Sequence, residues 1–226
     1  MSPPNYLFHC IRPNLPHAQS SPGTDAAAQA SAAFSACSLL YSSRTLYPTN
    51  TSNTFSPASL ADKTYASTLL SHALQLYTFA NSGLPLQTYQ TSVPQSAASY
   101  ASSGYTDELV MAGLFLAAAL NSTEYHNSAL NLYKNASLAN GNGALNWDSK
   151  TPALAVLGLQ VSSAVATDSV GTWQAEAERY LDNVVNHKSN GYFTHGHPQY
   201  IMYIVSPEAD NGIVPRWIAV LPRRFE

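Results

Sequence analysis

The sequence is short of charged residues. Only 10% of its 226 residues are charged, whereas roughly 25% is usual for a soluble domain. Thirteen acidic residues outnumber ten basic ones, so the net charge is −3. A surface without a basic excess does not attract nucleic acid or anionic lipid. We therefore expect no nucleic acid and no membrane as partners, and an uncharged ligand instead.

Cysteine and long apolar runs are scarce as well. The two cysteines, Cys10 and Cys37, allow at most one disulfide. Cys37 lies on the apolar stripe of a helical pattern, so a buried free thiol is favoured over a bridge. The longest apolar run, 109–120, is shorter than the roughly 20 residues that span a bilayer. The first residues lack a basic start followed by an apolar run, so no signal peptide is recognisable.

Three Asn-x-Ser/Thr sequons are candidates for N-glycosylation, at Asn50, Asn121 and Asn135. A chain so rich in Asn and Ser also produces such triplets by chance. The hydroxyl-rich composition favours an extracellular protein, whereas the start of the chain does not.

Strand alternation is almost missing, and helical periodicity takes its place. The first predicted helix begins with Thr24 as cap, and its expected core stripe is Ala30, Ala33, Phe34, Cys37, Leu40 and Tyr41. The third runs from about Asp107 to Leu120, and Asn121 is expected to cap the fourth. The fifth begins at Thr151 as cap. In all, we predict about six helices.

The connections alternate in length. Short links join helices three to four and five to six, and short links produce antiparallel hairpins. Stacked hairpins place the starts of odd-numbered helices on one edge. We therefore expect the loops at Tyr100–Tyr105 and Trp147–Asp148 to share one rim.

That rim carries aromatic rings beside acids. Tyr100, Tyr105 and Trp147 offer apolar faces, while Asp107 and Asp148 offer carboxylates. A pyranose has C–H faces that stack on aromatic rings and hydroxyls that carboxylates bind. These five residues are our candidates for a carbohydrate-binding site.

Each candidate also has a second interpretation. Asp107 and Glu108 lie in the first turn of a helix, where the dipole favours acids without any ligand. Trp147 is either a stacking platform or a core anchor. His195 and His197 lack a third ligand at useful spacing, so we expect neither a metal nor another cofactor.

Four stretches are the most distinctive: PGTDAAAQASAAFSAC, TYASTLLSHALQLYTFA, SGYTDELVMAGLFLAAAL and LNWDSKTPALAVLGL. In order and rough spacing they resemble the middle of the catalytic domain of glycoside hydrolase family 9, the cellulase family of endo-β-1,4-glucanases. The resemblance implies an all-α fold, a partial (α/α)6 barrel whose cleft lies at the starts of the inner helices. It also implies an extracellular protein that binds β-1,4-glucan, with Tyr100, Trp147 and Asp148 as glucose-subsite residues.

The resemblance divides the chain into three parts. Residues 12–196 are the family-like domain, 1–11 an irregular N-terminal segment, and 197–226 an irregular tail unlike the family. About six helices make roughly half of such a barrel, so the inner faces have fewer partners. Each large side chain left in water forgoes about 1.5–3 kcal/mol of burial. We therefore expect marginal stability and self-association through exposed inner helix faces.

The chemistry of the family requires two carboxylates on either side of the scissile bond, with room for an attacking water in the inverting reaction. By the resemblance, the base comes from an Asp-x-x-Asp motif, which this sequence does not contain. Glu208 and Asp210 stand in the tail without any feature that marks them as catalytic. We therefore name no catalytic residue and expect an incomplete, inactive endoglucanase-like domain. The alternatives are a noncatalytic helical carbohydrate-binding protein and a nonfunctional fragment.

Overall fold

The structure, a computed structural model, describes residues 22–43, 61–83, 85–186, 205–207 and 215–217. Within these ranges the chain forms six α-helices: α1 Thr24–Tyr41, α2 Lys63–Ser82, α3 Thr106–Leu120, α4 Thr123–Asn135, α5 Thr151–Ala164 and α6 Val170–Val185. The prediction of an all-α fold with about six helices is confirmed. None of the described helices combines the length and the apolar character needed to cross a membrane.

Four shorter elements complete the description. Two 3-10 helices, Tyr89–Thr91 and Pro94–Ala98, lie between α2 and α3. In the tail that we expected to be irregular, strand β1 (Val205–Pro207) pairs antiparallel with strand β2 (Pro215–Trp217). The other residues of the tail lie outside the described part of the chain.

Helix α3 lies at the centre of the described helices, in contact with α1, α2, α4 and α5. One core cluster, around Leu114 and Trp173, joins α3 to α4, α5 and α6. A second, around Tyr77 and Leu109, joins α3 to α1 and α2. Because α3 is shared by both clusters, it is apolar on nearly all sides. The predicted pairing of α3 with α4 and of α5 with α6 is confirmed.

The predicted core stripe of α1 is wrong. None of its six residues is buried, and Cys37 is a free but exposed thiol. The buried face carries mainly alanine and serine instead. Ser31 Oγ donates to Ala73 O at 2.7 Å and Ser38 Oγ to Ala66 O at 2.8 Å. These hydroxyls are satisfied by α2 carbonyl groups, so small polar residues line a close helix contact that hydrophobicity alone does not reveal.

Three predicted helix caps are also displaced by one residue. Ser122, not Asn121, caps α4 by accepting from Tyr125 N at 3.4 Å. Asn121 has φ 53° and ends α3 in the left-handed conformation that asparagine tolerates. Thr24 and Thr151 are the first residues of α1 and α5 rather than their caps.

A buried polar cluster joins α4, α5 and α6. His126 is fully buried, and its Nε2 accepts from Trp173 Nε1 at 3.2 Å and lies 2.9 Å from Ser162 Oγ. The indole N–H can only donate, so Nε2 carries no proton and Nδ1 carries it, 3.2 Å from Asn127 Oδ1. Burial lowers the pKa of His126. The neutral imidazole therefore holds the three helices together.

Gly158 of α5 packs directly against the ring of Trp173 in α6, and it provides a test of this packing. A Cβ at Gly158 would lie 2.3 Å from Trp173 Cδ2. We expect Gly158→Ala to lower the free energy of unfolding by about 1–3 kcal/mol, because the buried indole has no room to move. Urea unfolding followed by circular dichroism measures this.

The matched control is Gly171→Ala in α6, where an added Cβ meets nothing within 4 Å. That substitution should leave stability unchanged or raise it slightly through helix propensity. Equal effects of the two substitutions would contradict the proposed close contact.

Candidate functional site

The starts of α3 and α5 meet at one edge of the molecule. Ser103 N donates to Asp148 Oδ1 at 2.6 Å, and Lys150 N donates to Asp107 Oδ2 at 2.6 Å. The loop before α3 and the loop before α5 are therefore hydrogen-bonded to each other. The shared rim predicted from the hairpin pattern is confirmed.

Two aromatic rings stand out from this rim. Tyr100 is 61% exposed and Trp147 is 63% exposed. Their ring centroids are 6.0 Å apart with planes at 89°, so the rings form a corner. The interpretation of Trp147 as a core anchor is wrong. Tyr105, by contrast, is half-buried and packs against the core cluster of α1, α2 and α3.

The loop that carries Tyr100 is braced by the first 3-10 helix. The Tyr89 hydroxyl donates to Tyr100 O, and Gln90 Oε1 accepts from Ser102 N at 3.0 Å. Tyr89 N in turn donates to Asp25 Oδ1 at 2.8 Å, at the start of α1. The sequence analysis missed these bracing residues, because nothing in their local pattern indicates which distant loop they contact.

The α4–α5 loop, residues 136–150, carries Trp147. Asn146 Oδ1 accepts from Asp148 N at 2.8 Å and from Ser149 N at 2.9 Å, which makes a tight turn typical of asparagine. Lys150 Nζ donates to Trp147 O at 2.5 Å. The backbone of the turn is thus held from the protein side while the indole ring points into solvent. Asp148 is half-buried beside it.

Beside the rim lies a buried group of three titratable residues. Asp107 is 8%, Glu108 3% and Lys150 6% exposed. Lys150 Nζ lies 3.3 Å from Glu108 Oε1. Burial, followed by the hydrogen bond to Asp107 and its charge, raises the pKa of Glu108 to about 8. At neutral pH Glu108 is therefore mostly protonated.

These distances place Asp107 and Glu108 in the contact between the starts of α3 and α5. Both lie in the first turn of α3, where the helix dipole favours acids, and both bind Lys150. Asp107 was a candidate sugar ligand, yet little of its side chain reaches solvent. A sugar-binding role for Tyr100, Tyr105, Asp107, Trp147 and Asp148 stays a prediction.

The remaining candidates lie apart from the rim or outside the described residues. Asn121 and Asn135 are exposed at the ends of α3 and α4, whereas Asn50 is outside the described residues. Outside the described residues lie also Cys10, His195, His197, Glu208 and Asp210. The part of the chain that the structure describes contains no group of three or more His, Cys, Asp or Glu that could hold a metal ion.

Comparison with known proteins gives one consistent result. The sequence profile of glycosyl hydrolase family 9 matches residues 6–212. The chain is 30% identical to Endoglucanase 5 of Arabidopsis thaliana over 191 residues, which are 81% of this chain and 27% of that protein. It is 34% identical to Endoglucanase 14 of Oryza sativa subsp. japonica over 172 residues, which are 74% of this chain and 28% of that protein. The chain thus spans less than a third of the length of these relatives.

A solved structure agrees with these sequences. The endoglucanase of the termite Nasutitermes takasagoensis superimposes with a TM-score of 0.58 at 32% identity, over 74% of this chain and 33% of that one. The helices described above are therefore those of a partial (α/α)6 barrel. The domain boundaries at residues 12 and 196 stay a prediction, since the profile match extends beyond both.

The raised pKa of Glu108 predicts a pH dependence of stability. An unfolded chain gives Glu a pKa of about 4.3, whereas in the fold it is about 8. Between these values the folded state binds more protons than the unfolded state, so the free energy of unfolding falls as pH rises. Each unit of the raised pKa contributes about 1.4 kcal/mol to this fall.

Glu108→Gln should remove this contribution and flatten the stability profile between pH 5 and pH 8, measured by urea unfolding. Glu124→Gln, which changes an exposed acid in the first turn of α4, is the control and should keep the wild-type slope. A Glu108→Gln profile as steep as that of the wild type would refute the raised pKa.

Proposed function

This chain belongs to glycosyl hydrolase family 9, and we propose that it is an endoglucanase-like domain that binds β-1,4-glucan at the rim formed by Tyr100, Trp147 and Asp148. One observation carries the proposal. Two large aromatic rings are more than 60% exposed on loops that hydrogen bonds to other segments hold in place.

The geometry of the pair suits a sugar chain. One ring can stack on the C–H face of a glucose unit while the second, at 89° to it, bounds the side of the same unit. The carboxylate of Asp148 is beside Trp147 and can accept from sugar hydroxyls. A neutral polyol also agrees with a chain that has few charges and a net charge of only −3.

Hydrolysis requires groups that the rim does not offer. An inverting glycosidase uses two carboxyl groups about 6.5–9.5 Å apart on opposite sides of the bond. Glu108 has the raised pKa of a general acid, but it is 3% exposed and bound to Lys150. The sequence also lacks an Asp-x-x-Asp motif. We therefore propose glucan binding at the rim and name no catalytic residue there.

Two further properties belong to the same proposal. We infer an extracellular location, which the exposed sequons at Asn121 and Asn135 support. Self-association through exposed inner helix faces, expected from the sequence, also stays part of the proposal.

Titration calorimetry with a cello-oligosaccharide tests the binding site. We expect saturable binding by the wild-type chain and a loss of about tenfold or more in affinity for Trp147→Ala and for Tyr100→Ala, because each removes a stacking face. Tyr65→Ala removes another exposed tyrosine, on α2 and away from the rim, and should bind like the wild type.

A reducing-sugar assay on the same samples separates the two functions. Binding without sugar release is the expected result. Release of reducing sugar by the wild-type chain would instead identify a hydrolase, and a wild-type chain that binds no glucan would overturn the proposal.

A further inference from the structure

Two charged side chains of α6 hold the first part of the α4–α5 loop. The Arg179 guanidinium donates to Gly141 O at 2.8 Å and to Asn142 Oδ1 at 2.7 Å. It also pairs with Glu176, whose Oε2 lies 2.8 Å from Arg179 Nε. Glu176 Oε1 in turn accepts from Asn140 N at 2.8 Å. The three consecutive loop residues 140–142 are thus held by hydrogen bonds to charged side chains. Such bonds are stronger than hydrogen bonds between neutral groups.

Two neutral contacts extend this attachment along the same face of α6. Tyr180 Oη donates to Gly143 O at 3.0 Å, and Asn183 Nδ2 donates to Asn142 Oδ1 at 2.9 Å. Residues 176, 179, 180 and 183 follow the three- and four-residue spacing of one helix face. That whole face is therefore directed at the start of the loop.

The other end of the loop is held by α3 through the bonds of Lys150 to Asp107 and Glu108. Trp147 lies between these two attachments. Ordering the backbone costs roughly 1–2 kcal/mol per residue, so a loop of this length keeps one conformation only if bonds of this kind hold it.

Arg179 and Glu176 are half-buried and are not among the residues that α6 buries, although both act electrostatically on the buried Tyr133 of α4. The helix buries Trp173, Ala177, Tyr180 and Val184. The side chains of Arg179 and Glu176 are 26% and 14% exposed, and the hydrogen bonds described above join them to the loop and to each other. Substitutions of these two residues should therefore loosen the loop while α6 stays folded.

We propose that Arg179 and Glu176 are positioning residues for the glucan site: by fixing residues 140–142 of the α4–α5 loop, they hold Trp147 at a right angle to Tyr100 without touching the ligand. This inference rests on the proposed glucan-binding function. It extends the site to α6, which holds residues 140–142 at the start of the loop, whereas α3 holds Lys150 at its end.

Hydrogen exchange measured by mass spectrometry on the full chain tests the attachment directly. In Arg179→Gln we expect amide exchange in the 138–149 segment to rise about tenfold or more, as for the loss of one charge-assisted hydrogen bond. Exchange in α3 and α6 should stay as in the wild type. Arg179→Lys keeps the charge but not the planar guanidinium group. Its exchange rate in the 138–149 segment should fall between those of the wild type and Arg179→Gln.

The matched control lies on the same helix. Glu176→Gln and Glu178→Gln make the same chemical change two positions apart, but Glu178 is exposed and bonds to Gln174 within α6. We expect Glu176→Gln to loosen the loop and Glu178→Gln to leave it unchanged. Unchanged loop exchange in both Arg179→Gln and Glu176→Gln would overturn the inference, as would exchange that rises equally throughout α6.

The link to the site has two readouts. The near-ultraviolet circular dichroism of the Tyr100–Trp147 pair, identified as the signal lost in Trp147→Leu, should weaken in Arg179→Gln but not in Glu178→Gln. Affinity for a cello-oligosaccharide should fall about tenfold in parallel.

A loosened loop with unchanged affinity would overturn the inference and leave the proposed function intact. If the wild-type chain binds no glucan, the proposed function fails, and the dichroism, which needs no ligand, decides whether these residues position Trp147.

Discussion

The contact on which the rest of the site depends is the one between Lys150 and the two acids at the start of α3. Lys150 uses both its backbone N–H and its ammonium group, toward Asp107 and Glu108 respectively. A buried charge cluster of this kind contributes little net stability, because desolvation offsets most of the attraction. Its effect here is geometric, since two bonds in different directions fix where α5 begins relative to α3. The Trp147 turn directly precedes that point.

The same contact explains why an acidic pair precedes an otherwise apolar helix. Helix α3 is buried by neighbours on nearly every side, so its body offers no polar group with which to orient the loops around it. The first turn of α3 does offer polar groups, because the helix dipole favours acidic residues there. Burial first, and then the neighbouring Asp107, raise the pKa of Glu108 to about 8, and the charge of Lys150 offsets only part of this rise. The acids therefore support the rim from behind, and the rings form its surface.

Local pattern in the sequence is enough to predict about six helices, the number found in the described part of the chain, and to place the α3 and α5 starts on one rim, because both follow from periodicity and connection length. It failed where a side chain's burial depends on a distant partner. The serines of α1 are buried because α2 carbonyl groups accept from Ser31 and Ser38. Asp107 and Asp148 look alike in sequence, yet one meets Lys150 N inside the protein and the other stays half-exposed beside Trp147. No residue spacing distinguishes these cases.

Arg179 illustrates the same limit for the α4–α5 loop. It lies 38 positions from Gly141, whose carbonyl it binds, and the helical pattern of α6 marks it only as a polar position. Its partners become apparent only once the α5–α6 hairpin is packed beside the loop. The consequence for binding is energetic. A ligand that meets a loop already ordered by charged groups on α3 and α6 loses less free energy to ordering than one that must organise the loop itself. The exposed rings of Tyr100 and Trp147 add little to the stability of the fold, and the proposed glucan site would give them a function.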